Sequence, residues 1–351
     1  MEENNPYDPN YARVITKLVN VIILLILVIV VLFTLLFTGL PKKKKPILND
    51  VLNKDINSKN NSSSENFWLA PDTNSWQNES EIKLIRYGRH LIVNTAAYFG
   101  PKGSILKISN GMNCQNCHLE AGTKIFGNNY SAVKSTYPKF RERSGQIESI
   151  EKRVNDCFER SLNGKAIEST SPEMKAIVAY INWIGKEVVK GQKPNGSGLK
   201  ELPYLNRAAS PENGQKIFQI KCVKCHVENG SGKMNSDGLS FQYPPLWGDN
   251  SYNQGAGLFR LSRFASYVKY NMPQGASFET PQLSDEEAWD VAAFVISQDR
   301  PKMNLSKDWP KISAKPIDHP FGPYADNFSE QQHKYGPFAD IAAAKKLKNK
   351  N

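Results

Sequence analysis

Cys114-Gln-Asn-Cys117-His118 and Cys222-Val-Lys-Cys225-His226 are two copies of one pentad, Cys-x-x-Cys-His, and they use four of the five cysteines of the chain. In each copy the two thiols can form thioethers to the two vinyl groups of a haem, and the histidine next in line reaches the iron from one face. A zinc ribbon needs its CxxC pairs within about 15–20 residues of each other. These lie far beyond that spacing, and neither sits on a clear βαβ pattern of the kind a redox CxxC uses. The pentads therefore predict a dihaem c-type cytochrome. Covalent haem c is expected at Cys114 and Cys117 and again at Cys222 and Cys225, with His118 and His226 as iron ligands.

Working outward, each pentad sits in a segment of the same order: helix, CxxCH, long loop, second-ligand candidate, closing amphipathic helix. In the first, Glu79 to Tyr98 carries Ile82, Ile85, Leu91 and Ile92 near helical spacing, with Gly88 where another backbone can approach closely. Its closing helix begins at Ser171-Pro172-Glu173, a cap followed by proline at the first helical position. In the second, Pro211 to Ile220 leads into Cys222, and Ser284-Asp285-Glu286-Glu287 is a capping box that opens a helix stopped by Pro301. This order resembles the small all-helical class I cytochrome c domain, present twice. The expectation is an all-α chain with cytochrome c domains over 79–189 (haem 1) and 209–301 (haem 2), joined by a turn-rich linker over 190–208.

The termini are of another character. Residues 18–40 are an almost unbroken apolar run that at ~1.5 Å per residue spans a bilayer core, and the run passes directly into Pro41 and Lys42–Lys45. We read an uncleaved transmembrane anchor after a short tail over 1–17, then a flexible Asn/Ser-rich tether over 41–78. Lys42–Lys45 outnumber Arg13 and Lys17, which by the positive-inside rule would put the bulk of the chain in the cytoplasm. Haem c is attached outside the bacterial cytoplasmic membrane, and that chemistry takes precedence. The expected location is therefore a single-pass protein of the cytoplasmic membrane with its domains on the periplasmic side. Residues 302–351 read as an irregular extension packing back on the domains, with a Lys-rich, disordered end. The net charge of +11 suits an anionic partner or lipid surface, and no nucleic-acid motif accompanies it.

The second iron ligands set the kind of cytochrome. In the second domain the candidate is Met272, in Asn271-Met272-Pro273, with Lys269 a weaker competitor. The first domain has no equivalent methionine. It has Cys157, the one cysteine not needed for haem attachment, on a helix read over Ile147 to Asn163. Arg153 at i−4, Arg160 at i+3 and Ser161 at i+4 fall on its face, a setting that favours thiolate and a small dianion. The bland alternative is a buried cysteine beside a solvated face whose arginines pair with Glu148, Glu151 and Glu159.

Arg153-Val-Asn-Asp-Cys157-Phe-Glu-Arg160-Ser161-Leu-Asn163-Gly164 and the upstream Arg143 resemble the thiosulfate dehydrogenase family, dihaem enzymes that interconvert thiosulfate and tetrathionate. Pro244-Pro-Leu-Trp247-Gly, Gly255-Ala-Gly257, Asn271-Met272-Pro273 and Ala292-Ala-Phe294 complete the resemblance, in collinear order over roughly Glu79 to Pro301. It implies that Cys157 is both the second ligand of haem 1 and the sulfur that binds a thiosulfate-derived group. It implies further that Arg143, Arg153 and Ser161 hold substrate oxyanions. Met272 would ligate haem 2, which exchanges electrons with a small electron-transfer protein such as a cytochrome c. Some family members carry a lysine just before this methionine; here that position is Asn271. The rival readings are the Cys-ligated cytochrome subunit of a multienzyme sulfur-oxidising system and a plain electron-transfer cytochrome.

Overall fold

The computed structural model describes residues 9–38, 66–72 and 79–348. The Lys42–Lys45 run and all but 66–72 of the tether lie outside the described residues. Residues 1–63 and 64–351 form separate compact units. In the first, a single helix covers Pro9–Thr38. Its Arg13–Phe33 stretch, with mean hydropathy 3.0, is long and apolar enough to cross a membrane.

The second unit is built on two helix pairs. In the first domain Glu79–Val93 crosses Pro172–Ile184, and in the second Pro211–Lys221 crosses Asp285–Ser297. Each crossing is made at a glycine. A Cβ on Gly88 would lie 1.9 Å from the carbonyl oxygen of Ala176, and one on Gly214 would lie 1.9 Å from that of Asp290. Only a residue without a side chain lets the backbones meet this closely. Helix starts follow their sequence signals: Ser171 Oγ accepts from Met174 N at 3.1 Å, and Ser284 and Glu287 form a reciprocal capping box. Ile85, Leu91, Ile92, Met174, Ile177, Tyr180 and Ile181 build the first core, while Phe218, Trp289, Val291, Ala292 and Val295 belong to the second.

Two features depart from the sequence reading. The helix read from Ile147 begins at Ile150, because Gln146–Glu148 pairs antiparallel with Lys139–Arg141 in a small hairpin. A second hairpin joins Lys233–Met234 to Phe241–Tyr243. Both are short enough that neither leaves an alternating signal. The C-terminal extension is also more ordered than its composition suggests. Ser329 caps a helix over Glu330–Tyr335, and Ala339–Lys348 is helical through most of the Lys-rich end. Phe338 and Ile341 are buried in the second core, and Lys345 Nζ donates to the Lys315 carbonyl at 2.7 Å. Ala and Lys are strong helix formers, and two anchoring apolar residues are enough to hold this turn of chain on the body.

The extension ties the domains together. Asp308 accepts two 2.8 Å bonds from Arg160 of the first domain, and Asp318 accepts from Arg260 of the second. Direct bonds add to this: Tyr267 Oη donates to Asn116 O at 2.8 Å, Lys124 Nζ to Ala276 O at 3.2 Å, and Asn253 Nδ2 to Glu159 O at 2.8 Å.

Candidate active site at the first pentad

Ser149 caps the Ile150–Arg160 helix by accepting from Lys152 N at 3.3 Å. Helical spacing then places Arg153, Cys157 and Ser161 along one face, where all three line a cavity of about 180 Å³. Cys114, Cys117 and His118 line the same cavity. Arg153 responds to its neighbour: charge on Cys157 beside it holds the guanidinium above its ordinary value, against the opposing effect of burial. The pair thus sets a cation beside a sulfur in the wall of a small chamber.

His118 is arranged as a metal ligand would be. Its Nδ1 lies 2.6 Å from the Asn128 carbonyl, which leaves Nε2 for a metal. Burial pushes its pKa down to about 4, so the ring is neutral at neutral pH. Tyr130 stacks on it with centroids 4.5 Å apart. That stacking requires Gly122, since a Cβ there would lie 2.1 Å from the Tyr130 ring. Tyr130 and Tyr137 are wall residues that nothing in the sequence marks, because no periodicity links them to the pentad.

The two other arginines lie elsewhere. Arg160, expected on the cysteine's face, is turned away into its bidentate pair with Asp308 and does not line the cavity. Arg143 also lies outside the lining. Its Nη1 donates to Gly255 O at 2.9 Å, its Nε lies 3.9 Å from Asp308, and its guanidinium covers Trp309 at 5.5 Å. Burial, and then the neighbouring Arg160, lower Arg143 to about 10. The Arg143–Arg160–Asp308 cluster holds more positive than negative charge, and it stands next to Arg153 in the electrostatics of the site.

The second pentad is built in parallel. His226 Nδ1 lies 2.9 Å from the Pro244 carbonyl, and burial lowers its pKa. Cys222, Cys225, His226 and Met272 all line one cavity of about 560 Å³, with apolar walls from Leu246, Phe264 and Val295. Lys269 does not line it: Nζ donates to Leu283 O at 2.6 Å and pairs with Asp285 at 2.7 Å. Residues of the first domain, including Asn116 and Cys117, form part of the same wall, so Cys117 borders both cavities.

Both cavities suit haem c. Burial pushes the thiols of Cys114 and Cys117 up to about 12 and that of Cys222 to about 11, so neutral, carbon-bonded sulfur is the fitting state. Each cavity is also lined by an imidazole and a further sulfur side chain, His118 with Cys157 in the first and His226 with Met272 in the second.

Residues 106–188 match the SoxA/TsdA cytochrome c domain family, and residues 211–299 match the cytochrome c family. The chain thus carries two covalently bound haem c groups. It is 40% identical over 210 residues to the thiosulfate dehydrogenase of Psychrobacter arcticus, covering 59% of this chain and 62% of that one. It is 38% identical over 198 residues to the thiosulfate dehydrogenase of Allochromatium vinosum, covering 55% and 72%. Among solved structures, the thiosulfate dehydrogenase (TsdBA) of Marichromatium purpuratum, as isolated, superposes with a TM-score of 0.62 at 25% identity, covering 71% of this chain and 51% of that one. The chain thus spans less than two thirds of the Psychrobacter relative and about half of the Marichromatium chain, yet nearly three quarters of the Allochromatium one. On this identity and coverage, the chain belongs to the thiosulfate dehydrogenase family.

Proposed function

We propose that the chain oxidises thiosulfate to tetrathionate at the first pentad, with Cys157 as sulfur nucleophile and with Cys157 and His118 as the residues that would hold the haem iron. The observation that carries this is the shared cavity of Cys157, Arg153 and Ser161 with Cys114, Cys117 and His118. Two thiosulfate dianions repel each other, and a planar guanidinium is suited to binding their oxyanions bidentately. Arg153 and Ser161 would hold the sulfonate end, with Arg143 and Arg160 adding long-range positive charge from the Asp308 cluster.

The reaction balances in two steps. The Cys157 thiolate and the terminal sulfur of one thiosulfate form an S–S bond with loss of two electrons. A second thiosulfate then attacks that bonded sulfur, releases the Cys157 thiolate and leaves as tetrathionate. The two haem c groups supply one-electron acceptors for the pair of electrons released. Met272 would be the second ligand at the second pentad, since it lines the cavity with His226 while Lys269 is tied to Leu283 and Asp285. Methionine ligation would raise the potential of a haem held there, which would suit the second domain to pass electrons on to a small electron-transfer protein.

The Pro9–Thr38 helix would anchor the chain in the cytoplasmic membrane with the haem domains on the periplasmic side. The test is turnover by the haem-loaded full chain in detergent, given thiosulfate and an artificial one-electron acceptor. Tetrathionate should form with no carrier protein and no second subunit. Dependence on a carrier would move the chain to the sulfur-oxidising subunit reading, and inertness would leave a plain electron carrier.

A further inference from the structure

Arg153, Ser161 and Tyr137 all line the chamber that Cys157 shares with the first pentad. Among the described residues, the Arg153 guanidinium, Ser161 Oγ and Tyr137 Oη make no hydrogen bond to another protein group. None of the three is sealed in the protein, whereas the Nε atoms of Arg143 and Arg160 are. The first two belong to the functional reading already given, and Tyr137 does not. Its ring is 8% exposed and follows the short helix Val133–Thr136. That segment is firmly held: Tyr137 N donates to Val133 O at 3.0 Å, Lys190 Nζ to Tyr137 O at 2.6 Å, and Ser135 Oγ to Gln192 O at 2.6 Å. The other tyrosine of the wall, Tyr130, is stacked on His118. Tyr137 stands instead among Arg141, Arg153 and Glu148, within reach of charge on Cys157.

The sulfonate end of thiosulfate carries three oxygens on a tetrahedral sulfur. A guanidinium fork can meet two of them in its own plane, and the third is left for donors on other parts of the wall. We propose that Tyr137 is a further substrate-binding residue of this chamber, its hydroxyl donating to a sulfonate oxygen of the thiosulfate that Arg153 and Ser161 also hold. The inference rests on the functional reading above and adds to it the residue that recognises the oxygen-bearing end. Burial keeps the Tyr137 hydroxyl above its ordinary pKa, although Arg141 and Arg153 act in the opposite direction, so the phenol retains its proton to donate. A neutral donor suits this wall, where a further cation would add to the repulsion among Arg141, Arg143 and Arg153. It also gives the chamber a criterion of choice. A sulfonate beside a reactive sulfur satisfies the three donors, whereas a bare sulfide leaves them without an acceptor.

The test is steady-state thiosulfate oxidation by the haem-loaded full chain in detergent with an artificial one-electron acceptor, comparing wild type with Tyr137→Phe. The substitution keeps the ring, and with it the wall, and removes only the donor. It should raise KM for thiosulfate about tenfold while kcat changes by less than about threefold, the pattern of a lost binding contact. Covalent haem content, the substrate-free absorption spectrum, the denaturation midpoint and reduction by titanium(III) citrate should all match wild type, which a merely structural role would not leave unmoved together. An unchanged KM in a loaded variant, beside a wild type that turns over, would overturn this assignment and leave the functional reading standing. So would a substrate-free spectrum altered at the first-domain haem, which would tie the hydroxyl to that group instead. A loaded wild-type chain inert toward thiosulfate would overturn the functional reading, and this assignment with it.

Discussion

At the scale of single residues, the candidate site rests on Arg153 and Cys157, one helical turn apart and facing the same chamber. A half-buried guanidinium whose charge is favoured by a sulfur neighbour is placed to meet an anion in the chamber. Arg153→Ala should remove a charge-assisted contact of ~1.5–3 kcal/mol and cut kcat/KM for thiosulfate by about ten- to a hundredfold with haem content unchanged. A change below twofold would show that the anion is held elsewhere. Met272→Gly should alter the near-infrared and redox signature of the second-domain haem while leaving the first unaffected, because Lys269 is held by Leu283 and Asp285. An unaltered signature would assign that iron to another side chain. Cysteine counting singled out Cys157, and helical spacing put Arg153 and Ser161 on its face, where all three line the cavity. Spacing failed for Arg160, whose direction is set by Asp308 in the distant C-terminal extension, and for Tyr130 and Tyr137, which reach the cavity from loops.

At the scale of elements, the two helix crossings set how far apart the walls of each domain stand. Gly88 and Gly214 occupy equivalent crossings, with equal 1.9 Å clearances to a facing carbonyl. Gly88→Val should force the Glu79–Val93 and Pro172–Ile184 helices apart and cost ~1–3 kcal/mol or more, read as a lower denaturation midpoint of the haem-loaded protein. An unchanged midpoint would mean that the crossing is not the close contact it is drawn to be. The caps and amphipathic faces of these helices could be read from sequence because they depend on neighbours within one turn. The two hairpins could not, since strands of two or three residues carry too short a pattern. Nor could the helices of the extension, whose burial depends on Phe338 and Ile341 finding a core laid down by residues far upstream.

For the molecule as a whole, the arrangement is one of adjacency. Cys117 borders both cavities, Tyr267 of the second domain is bonded to Asn116 within the first pentad, and the extension pins Arg160 and Arg260 through Asp308 and Asp318. Such a body brings the two haem sites together within one compact unit, which is what an enzyme passing two electrons singly requires. The central claim is that Cys157 performs the sulfur chemistry. Its most direct measurement is anaerobic mixing of the oxidised full chain with thiosulfate, following the haem absorption bands and assaying tetrathionate. The account predicts that thiosulfate reduces the haems of the wild-type chain with tetrathionate as product. It predicts that Cys157→Gly, still carrying two covalent haems that dithionite can reduce, gives neither. Haem reduction and tetrathionate formation in Cys157→Gly at the wild-type rate would contradict it.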